Sequence, residues 1–171
     1  MNCEIDNQGL LCLKVQTVDT RIIEFIDYLK NEKRKELGKF ASEIINSYGN
    51  TFFRSFFPTK AIELVIIPGW DKSKKGVLTF EEIIKKAKKN GYQQTFPEVA
   101  LILGAELNQD DIQRMGCSKL VIVHNFFRTK DGLLNLLSTD GMKVSAELAD
   151  ERNENYPKNW SMLTGFVFQK P

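Results

Sequence analysis

The C-terminal third of the chain most narrows what it can become. From Lys119 onward it reads KLVIVHNFF, DGLLNLLSTDG, MKVSAELAD and WSMLTGFVFQK, apolar runs set apart by RTKDG, TDG and the polar stretch ERNENYPKN. Strands joined by short Gly- and Asp-bearing turns are the pattern of an antiparallel meander. Any fold for this sequence must seat those four strands and cover their apolar residues.

The cover lies upstream. Ile22, Ile26, Leu29, Leu37, Phe40, Ile44 and Tyr48 recur at helical spacing, which predicts a long N-terminal helix with KNEKRKE on its solvated side. Gly38 offers a break in that helix and Gly49-Asn50 an end. Thr79-x-x-Glu82 and Thr95-x-x-Glu98 both have the form of a capping box, in which hydroxyl and carboxylate satisfy each other's orphan amides. They predict a central helical pair, the first member ending at Asn90-Gly91. Asn108 or Asp110 opens one more short turn, closed by Gly116. Further strands are expected at residues 9–17 and 61–67, the second ended by Pro68-Gly69.

Helices and strands are segregated, so the expected class is α+β. Its expected form is a mainly antiparallel, mainly C-terminal sheet of about 5–6 strands against a long N-terminal helix and the central helical pair. No repeat, low-complexity tract or linker interrupts the chain, so residues 1–171 are expected to form a single domain.

Composition sets the class of protein. Of the 171 residues 42% are apolar and 27% charged, a globular balance that excludes disordered and fibrous chains. Cys3, Cys12 and Cys117 are odd in number and lack CxxC spacing. That disfavours a disulfide framework or zinc site and suits free thiols in a reducing cytoplasm. The first residues carry no signal-peptide pattern, and no apolar run nears the roughly 18 residues that span a bilayer. A soluble, cytoplasmic protein with no membrane partner is expected.

Motifs that would announce an enzyme do not occur: no GxSxG, HExxH, GxxxxGK[ST] or GxGxxG is found. No cofactor and no metal site are expected. His124 is the single histidine, so any imidazole chemistry would use it, with Cys12 or Cys117 as nucleophile and Asn125 or Asp140 as orienter. It lies at the end of an apolar strand, where packing alone accounts for it. Glu147 is the one acidic residue well inside a C-terminal strand, short of what a two-metal nuclease needs. Asp150, Glu151 and Glu154 gather in a loop without calcium-site spacing.

The net charge of +2 is a cancellation. Residues 71–89 hold seven lysines against three carboxylates, and residues 140–157 hold five carboxylates against Lys143 and Arg152. Such a bipolar surface steers an oppositely charged partner. Twelve phenylalanines are unusual, and Phe52, Phe53, Phe56 and Phe57 crowd one turn around Arg54. Aromatics beside an arginine are typical interface anchors, while the same residues could plug one end of the core.

In layout, LTFEEIIKKAKKNGY, TFPEVALIL, KLVIVHN and WSMLTGFVF, between Leu78 and Phe168, resemble small uncharacterised bacterial and phage proteins. The likeness covers about half of the chain, implies a prokaryotic or viral source and brings no activity or site residue. The residues themselves favour a non-enzymatic binding module that engages another macromolecule, a protein first. Phe53, Arg54, Phe57, Lys85, Lys86, Lys88 and Lys89 are its candidate contacts. A nucleic-acid-associated protein using the lysines of 72–89, with Tyr92 or Trp70 stacking on bases, is the alternative. A small hydrolase or transferase on His124 is the second. An exposed Phe patch would also suit a homo-oligomer.

Overall fold

The computed structural model describes residues 2–17, 21–52, 61–71, 75–149 and 160–171. Its first half contains β1 (Asn2–Ile5), β2 (Leu11–Gln16), α1 (Ile22–Asn31), β3 (Glu36–Leu37), α2 (Lys39–Phe52), β4 (Ala61–Pro68), β5 (Trp70–Asp71) and β6 (Gly76–Val77). The second half contains α3 (Phe80–Lys89), α4 (Glu98–Glu106), α5 (Gln109–Arg114), β7 (Lys119–Arg128), β8 (Leu134–Thr139), β9 (Lys143–Leu148) and β10 (Thr164–Gln169). Among the described residues, eight strands form one mixed sheet in the order β1-β2-β4-β10-β7-β8-β9-β3, and β5 and β6 form a separate ribbon.

Alternation along the strands divides the apolar residues between two faces. Leu64 and Ile66 of β4 join Leu13, Ile122 and Val167 in a core with residues of α1, α2, α4 and α5. Val65 and Ile67 point the other way, where Phe166, Phe168 and Val121 meet Phe80 and Ile83 of α3. Covered on both sides, β10 is buried from Thr164 to Phe168, and each large side chain so buried contributes roughly 1.5–3 kcal/mol.

This arrangement corrects the expected mainly antiparallel C-terminal sheet. The meander holds for β7, β8 and β9, which pair antiparallel in turn. The last strand does not extend it. β10 crosses back to lie parallel to β7 and antiparallel to β4, joining the C-terminal strands to the N-terminal ones in one sheet. An uninterrupted apolar GFVF is what a central strand with two covered faces requires, and an edge position would expose half of it. Gly165 permits the close approach: a Cβ there would meet Ile66 Cγ2 at 2.8 Å and Cys117 Sγ at 2.9 Å.

The long N-terminal helix is also corrected. After α1 the chain takes a left-handed turn at Arg34, φ 52°, and β3 pairs parallel with β9 before α2 begins. A Cβ at Gly38 would lie 3.2 Å from the Val144 carbonyl oxygen, so that glycine lets the chain hug the sheet edge. α2 then runs past Gly49-Asn50 to Phe52.

Of the two Thr capping boxes, the first forms. Thr79 Oγ1 accepts the Glu82 N–H at 3.2 Å, and Glu82 Oε2 accepts the Thr79 N–H at 3.0 Å. The second does not: Pro97 holds the cap position of α4 with helical φ −60°, and Thr95 is buried with its Oγ1 unpartnered. Thr95 instead bonds to the sheet through its backbone amide. β10 and β7 part after Val167 and Ile122, and residues 93–95 fill the gap. There Gln93 exchanges two 2.9 Å backbone bonds with Gln169, and the Thr95 N–H reaches the Val123 carbonyl at 2.8 Å. Sheet pairing outweighs the helix cap that the local sequence offers. This wedge also delivers Tyr92 to the β1–β2 turn.

Candidate functional site

His124 is fully buried on β7, at the point where the β7–β8 register shifts. Its Nε2 accepts the Leu137 N–H at 3.0 Å, so Nδ1 carries the ring proton and donates it to the Asn125 carbonyl at 2.6 Å. Burial pushes its pKa down to about 4, against the opposing pull of that carbonyl. Both ring nitrogens are engaged in holding backbone, and the imidazole is neutral at pH 7.

The candidate contacts separate. Phe53, Arg54 and Phe57 lie outside the described residues. Lys85, Lys88 and Lys89 are exposed on α3, opposite the buried Phe80, Ile83 and Ala87. Lys86 turns aside, half-buried and 3.9 Å from Asp71 at the β5–β6 ribbon. The proposed stacking groups are differently placed: Tyr92 is buried and Trp70 half-buried. Glu147 lies beside Lys119, with Nζ 2.7 Å from its Oε2, while Ser138 Oγ donates to its Oε1 at 2.8 Å.

Two features had no counterpart in the sequence reading. The first is a half-open groove of about 270 Å³ between the β1–β2 hairpin and the α4–α5 corner. Leu11, Leu13, Leu107 and Met115 give it an apolar lining, and Glu106, Asp111, Arg114 and Cys3 supply its polar groups. Arg114 and Asp111 lie 3.5 Å apart. The lining comes from three separated segments of the chain, so no local motif announces it.

The second feature converges on one carboxylate. Asp6 Oδ1 accepts the Gln8 and Leu10 N–H groups, each at 2.9 Å, closing the turn in which Gly9 takes φ +77°. Oδ2 meets three groups: Tyr92 OH at 3.2 Å, Cys12 Sγ at 3.8 Å and Lys170 Nζ at 3.9 Å. Lys170 also stands 3.9 Å from Glu63. Burial would raise the Asp6 carboxyl, but the Leu10 and Gln8 amides, Tyr92 and Lys170 together hold it below its ordinary value. A bond with the Cys12 sulfur first, and the charges of Asp6 and Glu63, raise the Lys170 pKa despite partial burial. Burial and the Asp6 charge raise Tyr92. A small cleft of about 30 Å³ opens beside Cys12 and Lys170, with Lys14, Glu63 and Glu4 around it.

The fold defines the class: an α+β protein with helices on both faces of a mixed sheet. No family model matches the chain, nor does any curated protein or solved structure at significance. Among the described residues, no helix is long and apolar enough to cross a membrane.

Proposed function

We propose that the chain is a non-enzymatic binding module whose partner is a protein, seated at the groove between the β1–β2 hairpin and α4–α5. The groove carries this reading. At about 270 Å³ and half-open, it is smaller than pockets that enclose a drug-sized ligand, and it suits one or two side chains of a partner. An apolar lining with charged residues among it has the anatomy of a protein interface. Lys85, Lys88 and Lys89, exposed together on α3, lie on the other face of the sheet from this groove and form the surface a nucleic-acid partner would use instead.

The test uses Met115→Glu, which puts a charge into the half-buried lining, beside a Lys85/Lys88/Lys89→Glu variant. Partners are captured from host cells with the unaltered chain, identified, purified and titrated against each variant. At least tenfold weaker binding by Met115→Glu is the expected result, corresponding to about 1.4 kcal/mol. The triple variant, altered on the opposite face of the sheet, should leave that affinity unchanged. Unchanged affinity of Met115→Glu for every captured protein would remove the groove from the reading. Capture of nucleic acid alone, lost in the triple variant, would replace a protein partner with a phosphate backbone.

A further inference from the structure

β1 is an outer strand of the sheet, and among the described residues nothing pairs with its far edge. The β1–β2 ladder fixes which of its backbone groups are open. The Asp6 N–H donates to the Leu10 carbonyl at 2.9 Å. The register continues with Ile5 opposite Leu11, Glu4 opposite Cys12 and Cys3 opposite Leu13. Bonded positions alternate in an antiparallel pair, so Glu4 turns its N–H and C=O toward β2, whereas Cys3 and Ile5 turn theirs outward. The strand carries neither proline nor lysine to block that edge.

We propose that β1 accepts an extended segment of a partner protein as a further strand, apolar on the groove side and basic opposite Glu4. This placement rests on the groove being the docking site and specifies what docks there. Leu13, opposite Cys3, and Leu11, opposite Ile5, line the groove together with Cys3 itself. Side chains directly opposite in a sheet share a face, so Ile5, 70% exposed, stands on the same side. A strand added along β1 sets its own side chains opposite Cys3 and Ile5 at the lip of the groove, toward Leu107 and Met115. Main-chain bonds to the open groups supply affinity, and the groove selects side chains.

Charge decides the occupant. Glu4 is exposed on the other face of β1, and Glu106 is exposed at the groove. Neither forms an ion pair among the described residues. The nearby cations already have partners: Lys14 lies 3.1 Å from Glu63, Lys170 stands 3.9 Å from both Asp6 and Glu63, and Arg114 is 3.5 Å from Asp111. A lysine or arginine opposite Glu4 gains a cross-strand ion pair. A second copy of this chain does not. In the register that uses both open residues of each copy, Cys3 against Ile5, it would set Glu4 against Glu4, which is destabilising.

The probe is a short, end-capped peptide of alternating lysine and valine, titrated into the folded full-length chain beside one of alternating glutamate and valine. The lysine peptide should bind and slow hydrogen exchange of the Cys3 and Ile5 amides at least about tenfold, leaving the Glu4 amide unchanged. Ile5→Pro removes an outward N–H and no bond to β2. It should stay folded by circular dichroism and bind at least about tenfold more weakly. Ile5→Thr keeps the amide and should bind within about threefold of the unaltered chain. Glu4→Lys should turn the preference toward the glutamate peptide. Undiminished binding by Ile5→Pro, no protection at Cys3 and Ile5, or no binding at millimolar peptide would overturn strand addition. So would a concentration-dependent dimer abolished by Ile5→Pro, which would make a second copy the occupant. Captured partners separate this from the groove reading. If they lose affinity with Met115→Glu and not with Ile5→Pro, the groove stands and the added strand falls; the reverse pattern keeps the strand and removes the groove.

Discussion

His124 Nε2 accepts the Leu137 N–H at 3.0 Å, so a side chain of β7 replaces a main-chain acceptor where pairing with β8 breaks register. Its replacement by phenylalanine keeps a ring beside Phe127, now 4.9 Å away, but orphans a buried amide. His124→Phe should cost about 1–3 kcal/mol at pH 7.5, measured by urea unfolding.

The same histidine fixes an acid-sensitive window. Its folded pKa, about 4, lies below the ordinary 6.5, so the unfolded chain binds more protons between those values. Stability therefore falls as pH drops from 6.5 toward 4, by on the order of 3 kcal/mol. Urea titrations across that range should show the loss in the unaltered chain and lack this component in His124→Phe. Asp6, held below 3.8, contributes stability that disappears only at lower pH, as the medium falls through its folded value.

Two glycines separate conformation from crowding. Gly9 and Gly141 both take left-handed φ, +77° and +86°. A Cβ at Gly9 meets nothing within 4 Å, whereas at Gly141 it would lie 2.4 Å from the Asn108 carbonyl carbon. The β8–β9 turn is pressed onto the α4–α5 junction there, and Lys35 Nζ binds the carbonyls of both Gly141 and Leu107. Gly9→Ala should cost about 1 kcal/mol. Gly141→Ala adds a backbone clash and should cost about 3 kcal/mol. Equal thermal shifts in the two variants would contradict the docking.

What the sequence disclosed follows from how local each signal was. Thr79 and Glu82 are three residues apart and meet within one turn, so their box was legible. Asn108 and Asp111 form another, at 2.9 and 3.0 Å. The β7–β9 meander was legible because its turns are short. The place of β10 was not, because adjacency in sequence does not fix adjacency in the sheet, and β10 pairs with β4 and β7. A long connection and a sheet open at β4 allowed another order. Thr95 shows the converse: a valid local cap signal was overridden by pairing with Val123. The Asp6 cluster draws Cys12, Tyr92 and Lys170 from distant segments, and no spacing rule reaches that far. Asp6 itself could have been singled out, because Asp-x-x-Gly is turn chemistry.

The α3 box gives a calibrated test of its own. Thr79→Ala removes the acceptor for the Glu82 amide, and Glu82→Ala removes the acceptor for the Thr79 amide. Each should cost about 1 kcal/mol. Because the two bonds form one motif, the double variant should cost less than the two single losses together. Strict additivity in chemical denaturation would show that the caps act separately.

The last test concerns charge on the sheet. Lys119 Nζ lies 2.7 Å from Glu147 Oε2 with side chains 30% and 20% exposed, and the ammonium stands 5.8 Å from the Trp160 ring centroid. Ser138 completes the carboxylate's partners. At this depth, removing one charge leaves the other poorly solvated, whereas removing both replaces the pair with apolar contact. Glu147→Leu should therefore destabilise by about 2 kcal/mol. Adding Lys119→Met to it should restore much of that loss, since the cost lies in the stranded ammonium. Trp160 is buried against Phe80 and Phe166, so its fluorescence can follow unfolding in all three proteins. A double variant less stable than Glu147→Leu would mean that Lys119 supports the sheet through its stem and the Trp160 ring more than through its charge.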